Sequence, residues 1–294
     1  MEGERMIVSV SGGKGGTGKS TVAVNLAVLL SRGYDLVLAD LDVEDPNDHI
    51  LLGVELENEE PVNIMLPFVD YDKCTKCGIC GKVCDTGAML ISPDGLPYVI
   101  PRLCSGCRAC LFACPTNAIV EGKRTIGYTY DTEVKLGDGF RLITGMLREG
   151  EEHTPPAVLA AKERALSTKA EIHLVDTSAG TSNSVATAID GSRLVIAVTE
   201  PTPLGLHDLE LILQLTQSMN IETWVVMNRA GLGPEDRHEK VVKEYGSEIV
   251  ARIPYSRDVV ESYVRGVPIV LSKYHSKEAE IFRDLVSKLM EVLG

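Results

Sequence analysis

The feature that most constrains this chain is a glycine-rich loop within residues 8–21, which read VSVSGGKGGTGKST. An apolar, β-branched run precedes the loop and a helix-compatible segment follows it, and the pattern G-x-x-x-x-G-K-S/T is typical of a phosphate-binding loop (P-loop). Because glycines lack a Cβ, backbone N–H groups can converge on an anion, and the following helix points its N-terminus at the same phosphates. Lys19 is therefore expected to contact the β- and γ-phosphates, and Ser20 to ligate Mg²⁺. The loop residues predicted to bind the nucleotide are Gly13, Lys14, Gly15, Gly16, Thr17, Gly18, Lys19, Ser20 and Thr21.

A second lysine, Lys14, stands near the start of the loop and gives the sequence K-G-G-T-G-K-S. This sequence resembles the deviant Walker A loop of the MinD/ParA family of ATPases. In that family two subunits enclose two nucleotides, and the early lysine reaches the γ-phosphate bound by the partner. The resemblance implies that Lys14 acts across a homodimer and that both Lys14 and Lys19 are catalytic. The alternative for Lys14 is an exposed loop cation.

An acidic cluster follows the second predicted strand, residues 36–39. The carboxyl end of a strand beside a P-loop is where Mg²⁺ and water chemistry takes place. By resemblance to switch I of the same family, Asp42 is expected to position the attacking water as a catalytic residue, and Asp40 to help hold Mg²⁺. Asp176 begins the run D-T-S-A-G, which resembles Walker B and switch II, and it is expected to bind Mg²⁺ through water. The alternative for each of these three aspartates is a solvated carboxylate at a strand end.

The adenine contact is predicted near the strand at 224–227. Asn228 and Arg229 follow this strand, and in MinD/ParA relatives an asparagine at this place hydrogen-bonds the base and favours adenine. The donor and acceptor atoms of an amide suit the N6/N7 edge of adenine, and the sequence contains no N-K-x-D guanine motif. Pro254 belongs to a segment that resembles the one lying along the adenine. ATP or ADP, rather than a guanine nucleotide, is therefore the expected ligand.

All eight cysteines lie between residues 74 and 114, where they form an internal repeat. Each copy has the spacing C-x2-C-x2-C-x3-C of bacterial two-cluster ferredoxins, in which the fourth cysteine serves the other cluster. Three thiolates on one tight loop hold three corners of a cubane, and the other copy closes the fourth corner. The first predicted [4Fe–4S] site contains Cys74, Cys77, Cys80 and Cys114. The second contains Cys84, Cys104, Cys107 and Cys110.

Zinc is the main alternative for these cysteines, because C-x2-C pairs also suit a tetrahedral site of four sulfurs. The duplicated three-plus-one spacing is far more specific than two such pairs. Asp85 stands where the first copy would normally have proline, which puts the local geometry or the reduction potential in question. Asp42 and Asp176 are 134 positions apart, whereas one β–α step needs about 30 residues. The cysteine-rich segment is therefore predicted to be an insertion.

These patterns together predict a doubly wound α/β fold of the P-loop NTPase type with a mostly parallel sheet. The inserted small α+β domain is expected to be similar to a bacterial ferredoxin. The ATPase domain is predicted at residues 1–66 and 124–294, and the insertion at 67–123. A strand hairpin over 125–147 is expected to form part of the dimer or client face.

Composition limits the partners and the location. The formal net charge of −13 argues against a broad basic face for nucleic acid. The sequence has no apolar run of the ~20 residues that cross a bilayer, and residues 1–5 are predicted to be a short polar leader rather than a signal peptide. The last predicted helix, 276–293, has a balanced polar face, unlike a basic membrane anchor. We therefore expect a cytoplasmic protein without nucleic-acid or membrane partners.

Three functions are compatible with these motifs. The first is a slow, partner-stimulated ATPase that couples its nucleotide state to electron transfer through two clusters, toward an unknown redox or client protein. The second is an ATP-dependent factor that assembles or delivers iron–sulfur clusters, resembling the Mrp-type carriers, although no spare cysteine remains for a transferred cluster. The third is a positioning ATPase like MinD or ParA with structural clusters, which the acidic charge disfavours.

Overall fold

A computed structural model of the protein describes residues 6–293, so the predicted polar leader at 1–5 lies outside the described residues. The strands in this range are β1 (Met6–Ser11), β2 (Leu36–Leu41), β3 (Glu60–Val69), β4 (Met89–Ile91), β5 (Pro97–Val99), β6 (Ile119–Val134), β7 (Phe140–Leu147), β8 (Ile172–Thr177), β9 (Leu194–Thr199), β10 (Glu222–Ala230) and β11 (Glu248–Pro254). The helices are α1 (Lys19–Leu30), α2 (Asp48–Leu52), α3 (Ile79–Lys82), α4 (Ala109–Phe112), α5 (Thr154–Ser167), α6 (Asn183–Ile189), α7 (Pro203–Ser218), α8 (Asp236–Glu244), α9 (Arg257–Arg265), α10 (Ile269–Ser272) and α11 (Lys277–Leu293).

Nine of these strands form one sheet in the order β11-β10-β9-β1-β8-β2-β7-β6-β3. All neighbouring strands from β11 to β7 pair in parallel, whereas β6 pairs antiparallel with both β7 and β3. Every residue of β2, β8 and β9 is buried, as expected for parallel strands covered on both faces. The predicted α/β fold with a mostly parallel sheet is thus confirmed.

Alternate residues of β2 show how both faces of the sheet are covered, because successive side chains on a strand point to opposite faces. Leu36 and Leu38 pack in the core that contains α1 and α11. Val37 and Ala39 pack in the core that contains α5. Within residues 6–293, no helix combines the length and the apolar character needed to cross a membrane.

Strands β3 and β6, at one edge of the nine-stranded sheet, form a long antiparallel ribbon that leads to the cysteine-rich segment, residues 70–118. The ribbon is paired from Glu60 opposite Thr129 to Val69 opposite Ile119. The predicted hairpin over 125–147 is present as β6 and β7, and β6 begins earlier than predicted because it also pairs with β3. The predicted insertion limits, 67 and 123, both fall within this ribbon, and the division into domains stays a prediction.

Candidate functional site

The P-loop connects β1 with α1, and a cavity of about 410 Å³ opens beside it. This volume lies in the range of roughly 300–1,000 Å³ that is usual for small-molecule sites. The predicted nucleotide-binding residues that line the cavity are Gly15, Gly16, Gly18, Lys19, Ser20, Thr21, Asn228, Arg229 and Pro254. Asp42 lines it as well, whereas Gly13, Lys14 and Thr17 are not among its lining residues. The cavity also has apolar walls from α2 and α9, which include Leu51 and Tyr263.

Close packing requires glycine at two positions of the loop. A Cβ on Gly13 would lie 2.2 Å from the Cβ of Asp208 in α7, and a Cβ on Gly18 would lie 2.3 Å from Nδ2 of Asn228. Gly18 also has a φ of +96°, which favours glycine. The Asn228 amide donates a hydrogen bond of 2.7 Å to the carbonyl oxygen of Thr17. The loop therefore packs against α7 and β10, and the Asn228 hydrogen bond holds it in place. The predicted contact of Asn228 with adenine stays a prediction.

Lys14 pairs with a carboxylate of its own chain. Its ammonium forms an ion pair with Glu200, whose side chain is only 6% exposed. Arg229 binds the second oxygen of the same carboxylate at 2.6 Å and donates to the carbonyl oxygen of Gly16 at 3.0 Å. Burial raises the pKa of Glu200, but Lys14 and Arg229 together hold it below its ordinary value. Sequence reasoning missed Glu200, although a carboxylate directly after the buried strand β9 was a usable signal.

Among the described residues, three buried carboxylates form a compact group whose oxygen atoms lie within 4.8 Å of one another: Asp40, Asp48 and Asp176. The oxygens of Asp40 accept backbone hydrogen bonds from Asp42 and Asp48 at 3.2 and 3.1 Å. Within the described part of the chain, the oxygens of Asp48 and Asp176 have no hydrogen-bond partner. Such orphaned buried oxygens fit a hard divalent cation, which takes oxygen ligands.

Electrostatics support the same assignment. Burial and then the neighbouring carboxylates raise the pKa values of Asp40 and Asp48 well above the ordinary range. Burial raises the pKa of Asp176 to about 7, while Ser20 and Lys19 act in the opposite direction. Of the predicted Mg²⁺ residues, Asp40 and Asp176 belong to this group and Ser20 lines the P-loop cavity; Asp48 joins the group as a residue that sequence reasoning missed. Asp48 directly follows the predicted acidic cluster, so its spacing from Asp40 could have indicated it.

Asp42, the predicted catalytic carboxylate, is half-buried at the cavity wall. Burial raises its pKa to about 6, and nearby Lys19 opposes this shift. A carboxylate with a pKa near neutrality suits a residue that orients water and accepts its proton. The position and pKa of Asp42 are therefore compatible with the predicted role, which stays a prediction.

The cysteines are distributed over two small cavities of about 20 Å³ each. One cavity is lined by Cys74, Cys77, Cys80 and Cys114. The other is lined by Cys84, Cys104, Cys107 and Cys110. In each cavity three cysteines come from one copy of the repeat and the fourth comes from the other copy. The structure thus brings together the same two sets that the spacing predicts.

The fourth cysteine of each copy has an equivalent environment. The N–H of Met89 donates to Sγ of Cys84 at 3.3 Å, and the N–H of Ala118 donates to Sγ of Cys114 at 3.2 Å. Burial raises the pKa values of Cys84 and Cys114, but these donors and their neighbours hold both below the ordinary value. Hydrogen bonds of this kind favour the thiolate, which is the form that binds metal.

Burial has the opposite net effect on one further thiol in each cavity. It raises the pKa of Cys80, and it raises the pKa of Cys110 to about 11. A raised pKa favours the neutral thiol over the thiolate, which is the form that binds metal.

Comparison with known proteins agrees with the fold and with the nucleotide cavity. Residues 8–269 match the CobQ/CobB/MinD/ParA nucleotide binding domain family. An uncharacterized protein of Methanocaldococcus jannaschii is 38% identical over 90% of this chain and 91% of its own length. The iron–sulfur cluster carrier protein of Pyrococcus abyssi is 26% identical over 98% of this chain and 88% of its own length.

A solved structure shows the same fold. The septum site-determining protein MinD of Pyrococcus horikoshii, complexed with Mg-ADP, superposes with a TM-score of 0.63 at 20% identity and covers 99% of this chain and 98% of its own. The family match over residues 8–269 includes the P-loop, and the superposition shows that the fold around it is that of a solved protein. The chain belongs to the CobQ/CobB/MinD/ParA family of nucleotide-binding domains.

Proposed function

We propose that this protein is a cytoplasmic ATPase that forms a homodimer around Mg-ATP and couples its nucleotide state to electron transfer through two [4Fe–4S] clusters. The observation that carries the proposal is the arrangement of all eight cysteines around two four-thiol cavities, in a chain that also holds a nucleotide cavity. The two cysteine cavities adjoin the ribbon of β3 and β6, which continues into the main sheet. The client is a redox protein that docks on the cysteine-rich segment.

The cysteine sets suit iron–sulfur clusters better than zinc. A tetrahedral zinc site with Zn–S bonds of about 2.3 Å brings its sulfurs to about 3.8 Å from one another. Between residues 6 and 293, no three cysteine sulfurs lie mutually within 4.8 Å. The three-plus-one composition of each cavity is that of two-cluster ferredoxins. When bound, such clusters would supply one-electron transfer.

The nucleotide cavity supplies the ATPase part of the proposal. Lys19 binds the β- and γ-phosphates, and Asp42 positions the attacking water. Mg²⁺ is held by Ser20 and by the buried carboxylates of Asp40 and Asp176, with Asp48 completing that group. Lys14 leaves Glu200 and contacts the γ-phosphate of the partner. Asn228, Arg229 and Pro254 form the base side of the site.

Cluster delivery is the second candidate function. The observation in its favour is the 26% identity with the iron–sulfur cluster carrier protein of Pyrococcus abyssi. Electron transfer is preferred because every cysteine of the chain already lines one of the two cavities. Incubation of the reconstituted protein with an apo-acceptor during ATP turnover distinguishes the two: electron transfer predicts that the iron stays on this chain, and delivery predicts that it moves.

Two double variants test the pairing of the cysteines. Cys74→Ser/Cys114→Ser removes two ligands from one cavity and is expected to retain about four of eight irons per chain, because the other four-thiol set is intact. Cys74→Ser/Cys84→Ser removes one ligand from each cavity and is expected to lose iron from both. Iron and sulfide analysis after anaerobic reconstitution, with electron paramagnetic resonance of the reduced protein, measures the outcome.

Each double variant replaces two cysteines by serine, so a difference in iron content between them cannot come from the number of thiols removed. Cys74 and Cys84 belong to the same copy of the repeat, whereas Cys74 and Cys114 belong to different copies. If Cys74→Ser/Cys84→Ser kept half of the iron and Cys74→Ser/Cys114→Ser lost all of it, the cysteine assignment would be wrong. An iron-free wild-type protein after reconstitution would contradict the proposed function as a whole.

A further inference from the structure

The loop at residues 148–153 connects β7 with α5 and contacts the second cysteine copy through a partly buried ion pair. The guanidinium of Arg124, on β6, pairs with the carboxylate of Glu151; the two side chains are 17% and 7% exposed. Nη2 of Arg124 also donates to the carbonyl oxygen of Cys104 at 3.3 Å. The other carboxylate oxygen of Glu151 accepts two backbone N–H groups of the loop, both at 3.1 Å. One ion pair therefore connects the backbone of Cys104 with the start of α5.

Both ends of this loop are hydrogen-bonded to segments next to candidate site residues: Asp42, which is proposed to position water, and Asp176, a candidate Mg²⁺ residue. At one end, the N–H of Leu147 donates to the carbonyl oxygen of Val43 at 2.7 Å, and Val43 directly follows Asp42. At the other end, the hydroxyl of Ser184 donates to that of Thr154 at 2.8 Å. Thr154 is the first residue of α5, and Ser184 lies at the start of α6, just after the loop that follows β8. The 148–153 loop thus stands between the nucleotide cavity and one cysteine cavity.

From these contacts we infer that Arg124 and Glu151 are positioning residues that transmit the nucleotide state to the loop bearing Cys104, Cys107 and Cys110. The inference rests on the proposed function and assigns the coupling between nucleotide state and clusters to the Arg124–Glu151 ion pair. Separation of the pair would leave two partly buried charges without partners, so the two side chains move together when either end of the 148–153 loop shifts. The contact of Arg124 with the Cys104 carbonyl then carries the shift to the second cysteine cavity, which Cys104 lines. The first cavity, around Cys74, serves as an internal reference.

A neighbouring ion pair provides a matched control. Glu152, the next residue in the loop, pairs with Arg102 at 2.7 Å, but the two side chains are 78% and 71% exposed. Exposed ion pairs are screened by solvent and contribute little. Glu152→Gln therefore makes the same chemical change as Glu151→Gln at an adjacent position and leaves the Arg124–Glu151 pair unchanged.

Amide hydrogen exchange on the anaerobically reconstituted protein tests the inference, with Mg-ADP compared with a non-hydrolysable Mg-ATP analogue. In the wild type, exchange in residues 104–110 is expected to differ at least about threefold between the two nucleotides, because exchange reports local opening. In Arg124→Met/Glu151→Leu the difference is expected to disappear while both nucleotides still bind. That double variant leaves no buried charge unpaired, so it is expected to fold. Glu152→Gln is expected to match the wild type.

A double variant that keeps the nucleotide-dependent difference at 104–110 would overturn the inference and leave the proposed function standing. A wild type that binds both nucleotides without any difference at 104–110 would overturn it as well. Glu151→Gln, which keeps the acceptor for the two loop N–H groups, is the second variant if the double variant does not fold, and it is expected to at least halve the difference. Failure of the wild type to bind the ATP analogue would instead refute the proposed function itself.

Discussion

Replacing Lys19 by alanine is expected to weaken ATP binding at least about 100-fold and to reduce hydrolysis below about 1% of the wild-type rate. Lys19 is buried at the start of α1 and lines the nucleotide cavity. Burial raises the pKa values of both Asp42 and Asp176, and the Lys19 ammonium opposes that rise. Without that cation the phosphates meet the acidic cluster with no lysine of the loop lining the cavity. Calorimetric titration with Mg-ATP and an assay of phosphate release measure the two effects.

The control for Lys19→Ala is Lys14→Ala, which removes a cation of the same loop that does not line the cavity. ATP affinity in the Lys14 variant is expected to stay within about threefold of the wild type. Binding of ATP by Lys19→Ala with wild-type affinity would contradict the assignment of the P-loop lysine.

Lys14→Ala is expected to abolish ATP-dependent dimerisation, the second large effect. In the isolated chain the Lys14 ammonium pairs with Glu200, and only its carbonyl oxygen contacts Lys19, at 3.3 Å. The carbonyl is retained in the alanine variant, so the nucleotide site of each subunit is preserved. What is lost is the cation that, by resemblance to MinD/ParA ATPases, reaches the γ-phosphate of the partner. Sedimentation velocity with and without Mg-ATP measures the dimer.

Glu200→Gln provides the opposite control, because it removes the charge that holds Lys14 within its own chain and leaves the lysine in place. This variant is expected to keep ATP-dependent dimerisation. An unchanged dimer fraction in Lys14→Ala would show that the lysine does not act across the interface.

The parts of this structure that sequence reasoning predicted are those fixed by local spacing. The P-loop was predictable because the backbone at Gly13 and Gly18 admits no side chain, so the glycines mark the loop directly. The strands β2, β8 and β9 were predictable because burial on both faces leaves continuous apolar runs. The two cysteine sets were predictable because the repeat spacing determines which thiols one loop can offer.

The parts that sequence reasoning missed depend on contacts between distant segments. Glu200 is 186 positions from Lys14, and nothing near either residue indicates that the two form an ion pair. Arg124 and Glu151 are 27 positions apart on different elements, and their pairing follows only from the fold. Asp48 is a milder case, since it directly follows the predicted acidic cluster but starts a short helix rather than ending a strand.

In the proposed function, nucleotide state and cluster chemistry influence each other within one chain. A redox titration of the reconstituted protein, monitored by electron paramagnetic resonance in the presence of Mg-ADP or a non-hydrolysable Mg-ATP analogue, measures this coupling. We predict that at least one cluster potential differs by about 60 mV or more between the two nucleotides, a tenfold change for a one-electron couple. Identical potentials in both nucleotide states would contradict the proposed coupling.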